Sequence, residues 1–83
     1  MTKLTKQSNH AKPLPPDPEQ MNNGRAHWAE AALVEFQHRT GADVEDAVSD
    51  LLADLMHWCD RHDQDFDHEL SRARYHYEAE TES

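Results

Sequence analysis

Three aspartates in the second half of the chain have a spacing that could bind a metal ion. Asp63, Asp65 and Asp67 alternate as the first three odd positions of a calcium-binding loop do. The agreement ends there, because His68 stands where such a loop needs glycine and Arg74 where it needs a bidentate glutamate. Acids at these positions also suit the start of a helix, where the helix dipole favours negative charge. We keep the three aspartates as candidate ligands and predict no bound metal or other cofactor.

Zinc is the other metal to consider, since the chain has seven histidines and one cysteine. His57 and Cys59 lie about half a turn apart on a helix, so their side chains do not share a face. No pair of residues has the spacing of an HEXXH or paired-cysteine site. A zinc site would therefore have to be assembled between helices or between subunits.

Nucleophilic and phosphate chemistry have little support in the sequence. Ser49 and Ser71 have no predicted base within hydrogen-bonding reach. With only two glycines, Gly24 and Gly41, the chain has no glycine-rich phosphate-binding loop. We therefore predict that the protein is not an enzyme.

An acidic ridge is defined here as Asp46, Asp50 and Asp54, which follow one another at intervals of four residues. On a helix this spacing places them in one row, where like charges repel by a few tenths of a kcal/mol per pair. One interpretation is a surface for a divalent metal or a cationic partner. The other, more common in proteins, is a solvated polar face whose repulsion is relieved by His57 and Arg61 further along the row.

The elements that would position these residues are helices. Apolar residues recur at helical intervals, and alternating β-branched runs typical of strands are absent. Capping residues and breakers predict helices at about 24–39, 44–62 and 66–80, with Asp43 and Asp65 as N-caps and Gly41 ending the first helix. The predicted fold class is all-α, as a three-helix bundle or a helical dimer.

The second helix carries the widest apolar face, reaching about half of its circumference. Leu52, Met56 and Cys59 widen this face beyond what one neighbouring helix usually covers. The central stripe of the face consists of Val44, Ala47, Val48, Leu51, Leu55 and Trp58. The first helix has a narrower stripe with Trp28 at its edge, and the third has a seam of four residues: Phe66, Leu70, Ala73 and Tyr77. Because a core of this size is marginal, the wide face favours self-association.

Charge divides the chain into two parts. Residues 1–20 contain the three lysines and all four prolines, which predicts a disordered tail. Residues 21–83 form the acidic helical domain, with fifteen Asp and Glu against five Arg, a net charge of −10. Such a domain repels phosphates, so we expect no direct nucleic-acid binding by the folded part. The sequence contains no membrane span, and a lone cysteine suits a reducing, cytoplasmic compartment.

The run Asp50–Glu80 resembles small uncharacterised bacterial proteins of plasmids, phages and integrated elements, a family without an established activity. The same run has a fainter likeness to MazG-like all-α nucleotide pyrophosphohydrolases, which bind magnesium through EExxE and ExxD motifs. That likeness would imply a metal-dependent hydrolase. Here the corresponding carboxylates are Glu30 and Glu35 on the first helix and Asp50 and Asp54 on the second, and neither motif is intact.

Two functions of different kinds follow as expectations. The first is a small, non-enzymatic protein–protein interaction module, which would use Trp28, Leu52 and Met56 to form a homodimer or to bind another protein. The second is an inhibitor that mimics nucleic-acid charge, in which the acidic ridge would occupy the basic groove of a nuclease or DNA-binding protein.

Overall fold

The computed structural model describes residues 13–83, which contain three α-helices: α1 (Asn22–Thr40), α2 (Val44–Arg61) and α3 (Phe66–Glu80). No residue in this range belongs to a β-strand. The predicted all-α architecture is thereby confirmed, and α2 and α3 agree with their predicted bounds to within one residue. Within the same range, no helix combines the length and the apolarity needed to cross a bilayer.

Helix α1 begins two residues earlier than predicted, at Asn22 instead of Gly24. The cause is the carboxylate of Asp17, which accepts the backbone N–H of Met21 at 3.1 Å and that of Asn22 at 3.2 Å. These bonds satisfy donors that the first turn of a helix leaves open, and so offset the poor helix propensity of the Asn-Asn-Gly start. Asp17 belongs to the predicted tail, whose residues 1–12 lie outside the described range.

The other helix ends follow local sequence signals. Gly41 ends α1 in the left-handed conformation (φ 76°), and its N–H donates to the carbonyl of Gln37 at 2.7 Å. At the start of α3, the carboxylate of Asp65 accepts the N–H of His68 at 3.1 Å, as an N-cap residue does. Asp43 occupies the same position before α2, but its side chain accepts no capping bond.

The two ends of the helical part meet at one corner of the molecule. The side-chain amide of Asn22, at the start of α1, donates to the carbonyl of Glu80, at the end of α3, at 2.9 Å. Arg25 lies 3.5 Å from the carboxylate of Glu80 and 3.0 Å from that of Glu19. Because α2 contacts both other helices, these bonds close the three helices into a flat body with dimensions of 38 × 33 × 19 Å.

Very little of this body is buried. Ala47 and Cys59, both on α2, are the only buried residues among residues 13–83. The apolar seam predicted on α3 is largely not buried. Only Phe66 is half-buried, whereas Leu70 and Tyr77 are exposed. The reason is that α3 packs less extensively on α2 than α1 does, while its last turn is bonded to the start of α1 through Asn22 and Glu80.

The two aspartate N-caps provide a matched test of local stabilisation. We expect Asp65→Ala to lower the free energy of unfolding by about 1 kcal/mol, because it removes the bond to the N–H of His68. Asp43→Ala should cost less than about 0.5 kcal/mol, since only its interaction with the helix dipole is lost. Urea unfolding of both variants at one protein concentration measures the difference, and equal losses would contradict the capping role of Asp65.

A second pair of variants tests the contact between the start of α1 and the end of α3. Asn22 and Asn23 are neighbours in the first turn of α1, so replacing either by Ala changes helix propensity alike. Only Asn22 donates to the carbonyl of Glu80 and accepts from Arg25, at 2.7 Å, and we expect Asn22→Ala to be less stable than Asn23→Ala by about 1 kcal/mol. Hydrogen exchange should show faster opening of the last turn of α3 in Asn22→Ala, and unchanged exchange there would refute the closure.

Candidate interaction surface

An apolar groove lies between α1 and α2, on the surface of the molecule. Its volume is about 290 Å³. No polar or charged residue lines this groove, which is formed by Ala29, Ala32, Leu33, Val48, Leu51, Leu52 and Leu55. The three-residue link 41–43 turns the chain back after α1, so the middle parts of the two helices face each other along the groove.

The groove exists because the apolar face of α2 is wider than its neighbours cover. On α2, Ala47 is completely buried, and Cys59 is buried near the C-terminal end of the helix. Leu52 and Leu55 lie on the adjoining part of the face, and about 40% of each residue is exposed. At 100° per residue, Leu52 lies about 140° around the helix from Ala47, so a neighbour that covers Ala47 does not reach Leu52. The open part of the face forms one wall of the groove.

The three apolar residues predicted to bind a partner are all exposed, but only Leu52 lines the groove. Trp28 is 64% exposed and directly precedes the lining residue Ala29. Met56 is half-exposed and lies one helical turn after Leu52. The two therefore extend the groove at its edges, and we call the groove together with Trp28 and Met56 the apolar face.

Several residues of the apolar face are not among the binding residues predicted from the sequence. Val48 and Leu55 were assigned to the central stripe of α2, yet Val48 is 55% exposed and Leu55 shares the exposure of Leu52. The width of the stripe was the available signal, but periodicity alone does not tell which half of a wide stripe a neighbour covers.

The acidic ridge lies on the opposite side of α2. Asp46, Asp50 and Asp54 are exposed, and Asp50 is roughly 160° around the helix from Leu52. Among residues 13–83, none of the three has a cationic side chain within 4.0 Å, because all four ion pairs of that range join an arginine to a glutamate. Asp50 and Asp54 line a shallow depression beside the C-terminal end of α1, of about 230 Å³. The ridge therefore presents uncompensated negative charge.

The candidate metal ligands do not come together. Asp65 is engaged in capping α3, and Asp63 takes a left-handed turn conformation (φ 56°) that aspartate tolerates better than most residues. Across residues 13–83, no three His, Cys, Asp or Glu side chains are grouped so that they could hold an ion. The same holds for the four carboxylates of the MazG-like comparison, Glu30, Glu35, Asp50 and Asp54.

An aromatic pair at the end of α2 covers part of the surface that the sequence assigned to the core. Trp58 stacks on His62 with the ring centroids 4.1 Å apart and the planes inclined by 13°. The Nδ1 atom of His62 also lies 2.9 Å from the carbonyl of Trp58, one helical turn before it. This side-chain pair shields one face of the indole in place of a neighbouring helix, and Trp58 is still half-exposed.

Comparison of the chain with protein-family models, with curated proteins and with solved structures finds no match in any of the three. Two surfaces of the molecule remain as candidates for binding a partner. Those surfaces are the apolar face on one side of α2 and the acidic ridge on the other.

Proposed function

We propose that this chain is a small protein–protein interaction module that binds its partner through the apolar face. The observation that carries the proposal is the exposure of large apolar side chains around a groove without any polar lining residue. From the fractional exposures, the apolar face leaves on the order of 600 Å² of apolar surface in contact with water, at the upper end of the largest patch on a typical monomer.

Covering this face contributes to the free energy of association. Full burial of a leucine contributes about 1.5–3 kcal/mol, so covering the exposed two-fifths of Leu52 or Leu55 contributes about 1 kcal/mol each. Trp28 offers the largest side chain of the face, and tryptophan is enriched among residues that dominate binding energy. Together these side chains can offset part of the entropy lost on association.

A binding role fits the groove better than a chemical one. Pockets for small molecules combine apolar walls with a few converging polar groups that fix the orientation of the ligand. The groove between α1 and α2 has no such group, since its seven lining residues are alanine, valine and leucine. Such a surface complements the apolar side of another helix.

The proposal predicts position-specific cross-linking in cells. With the photoreactive residue p-benzoylphenylalanine at position 52, in the groove, irradiation should give a discrete covalent adduct with the partner. The same residue at position 75 on α3 is the control, because Tyr75 is 72% exposed and does not line the groove. Mass determination of the adducts is the measurement. Adducts of equal yield from both positions, or none from position 52, would refute the proposed binding face.

Mimicry of nucleic-acid charge is a second candidate, and it rests on a different observation. The carboxylates of the acidic ridge are exposed and lack a cationic neighbour within the described residues. A helix spaces residues four apart by about 6 Å, so the ridge is a row of evenly spaced negative charges. Such a row suits a lysine- and arginine-rich groove, to which it would bind mainly through electrostatics.

Charge-matched variants test the acidic ridge. One variant replaces Asp46, Asp50 and Asp54 by Asn, and the control replaces Asp60, Asp63 and Asp67, so that both lose three negative charges. We expect the ridge variant to bind an oligolysine peptide several-fold more weakly than the control, with a smaller dependence on salt. Isothermal calorimetry at low and high salt provides the comparison. Equal losses in the two variants would show that net charge, and not the ridge, determines binding.

A further inference from the structure

The size of the buried core points to the identity of the partner. In the described residues only Ala47 and Cys59 are buried, and neither is a large side chain. Conformational entropy opposes folding by roughly 1–2 kcal/mol per ordered backbone residue, and the large apolar side chains that offset this cost are at most half-buried. Small chains with so little core commonly gain further stability from disulfides, a structural metal, cyclisation or oligomerisation.

Three of these four sources, namely a disulfide, a structural metal and cyclisation, are unsupported by the residues present. Cys59 is the only cysteine in the sequence and is a free thiol, so no disulfide forms within the chain. Within residues 13–83 no group of side chains is arranged to hold a metal ion. The N- and C-terminal ends of the described part are held near each other by the bonds of Asn22 and Arg25 to Glu80, but these bonds are not covalent. Oligomerisation is the remaining source.

We infer that the apolar face is covered by a second copy of this chain, which packs its own apolar face against the first. The inference rests on the proposed function and names the partner. The uncovered apolar area, on the order of 600 Å² per copy, approaches the roughly 800 Å² per partner of a standard stable interface once a polar rim is added. A second copy is also the one partner that is present wherever the chain is synthesised, as an obligate folding partner must be.

The shape of the face suits a two-fold symmetric pair. Each copy presents two helices with an open groove between them, and two such hairpins packed face to face form a four-helix core. In a symmetric interface the same patch is used by both copies, so the alanines and leucines that line one groove receive the leucines of the other. The exposed indole of Trp28 lies at the edge of the face, where it can cover the rim of the partner's groove.

Charge determines which helices can face each other in this pair. Helix α2 carries five acids and one arginine, a net charge of −4, whereas α1 carries two glutamates and two arginines and is neutral. Placing α1 of one copy beside α2 of the other keeps the two acidic helices apart. The acidic ridge, on the far side of α2 from Leu52, then stays in water. The net charge of −9 on each chain is thus compatible with pairing through an uncharged face.

The test is the mass of the purified full-length chain in solution. Sedimentation equilibrium from about 1 to about 200 µM should give twice the chain mass of 9.6 kDa at the upper concentrations, and the thermal midpoint should rise with protein concentration. A mass of one chain and a constant midpoint at every concentration would overturn the inference. The proposed function would then still stand if position 52 cross-links to a different protein, and would fail if it cross-links to none.

Two leucine variants identify the surface that holds the pair. Leu52→Lys should give a monomer, whereas Leu70→Lys on α3 should stay dimeric, since Leu70 is similarly exposed at 43% but lies outside the apolar face. Lysine lowers the net negative charge of both variants, so repulsion between acidic chains does not explain a loss of pairing. Dissociation of both variants, or of neither, would overturn the assignment of the face.

A milder variant covers the case in which Leu52→Lys does not fold. Leu52→Ala introduces no charge and should raise the dimer dissociation constant tenfold or more while circular dichroism still shows helical structure. A dissociation constant unchanged from that of the wild-type chain would show that Leu52 is not in the interface.

Discussion

Helix α2 carries an apolar face that α1 and α3 do not fully cover, and the organisation of the molecule follows from this mismatch. One side of the face is used inside the chain, where Ala47 is completely buried. The other side, which includes Leu52 and Leu55, forms the wall of an open groove. A chain this small buries little apolar area, and this limits its stability. The exposed half of α2 is therefore the part of the surface on which association has most to gain.

Polar interactions shape the chain without replacing the missing core. The caps at Asp17, Gly41 and Asp65 determine where the helices begin and end, and each acts within a few residues of the sequence. The bonds from Asn22 and Arg25 to Glu80 bring the ends of the helical part together, but they are partly exposed and contribute little each. The ends of the helices are thus well defined, whereas the apolar face between α1 and α2 is still open to solvent.

Negative charge and apolar surface are separated on α2, and this separation makes the two candidate functions independent. The acidic ridge faces away from Leu52, so a partner on the apolar face does not have to desolvate the carboxylates of Asp46, Asp50 and Asp54. Burying an unpaired carboxylate would cost several kcal/mol, which a small interface does not offset. Repulsion between acidic surfaces also opposes association of the chain through the ridge side of α2.

The sequence by itself determined the number of helices, the bounds of α2 and α3, the capping role of Asp65 and the excess width of the apolar face of α2. These features depend on residues within one or two helical turns, which periodicity and capping preferences describe well. The early start of α1 depends on bonds to Asp17, four to five residues away across a turn, which outweigh the poor helix propensity of Asn22-Asn23-Gly24 on which the predicted later start rests. Only the tertiary structure decided that the apolar face of α2 is open at Leu52 and closed at Ala47, and that the seam of α3 is exposed. The reason is that the path of the chain between helices, and not the composition of a helix, determines which side a neighbour covers.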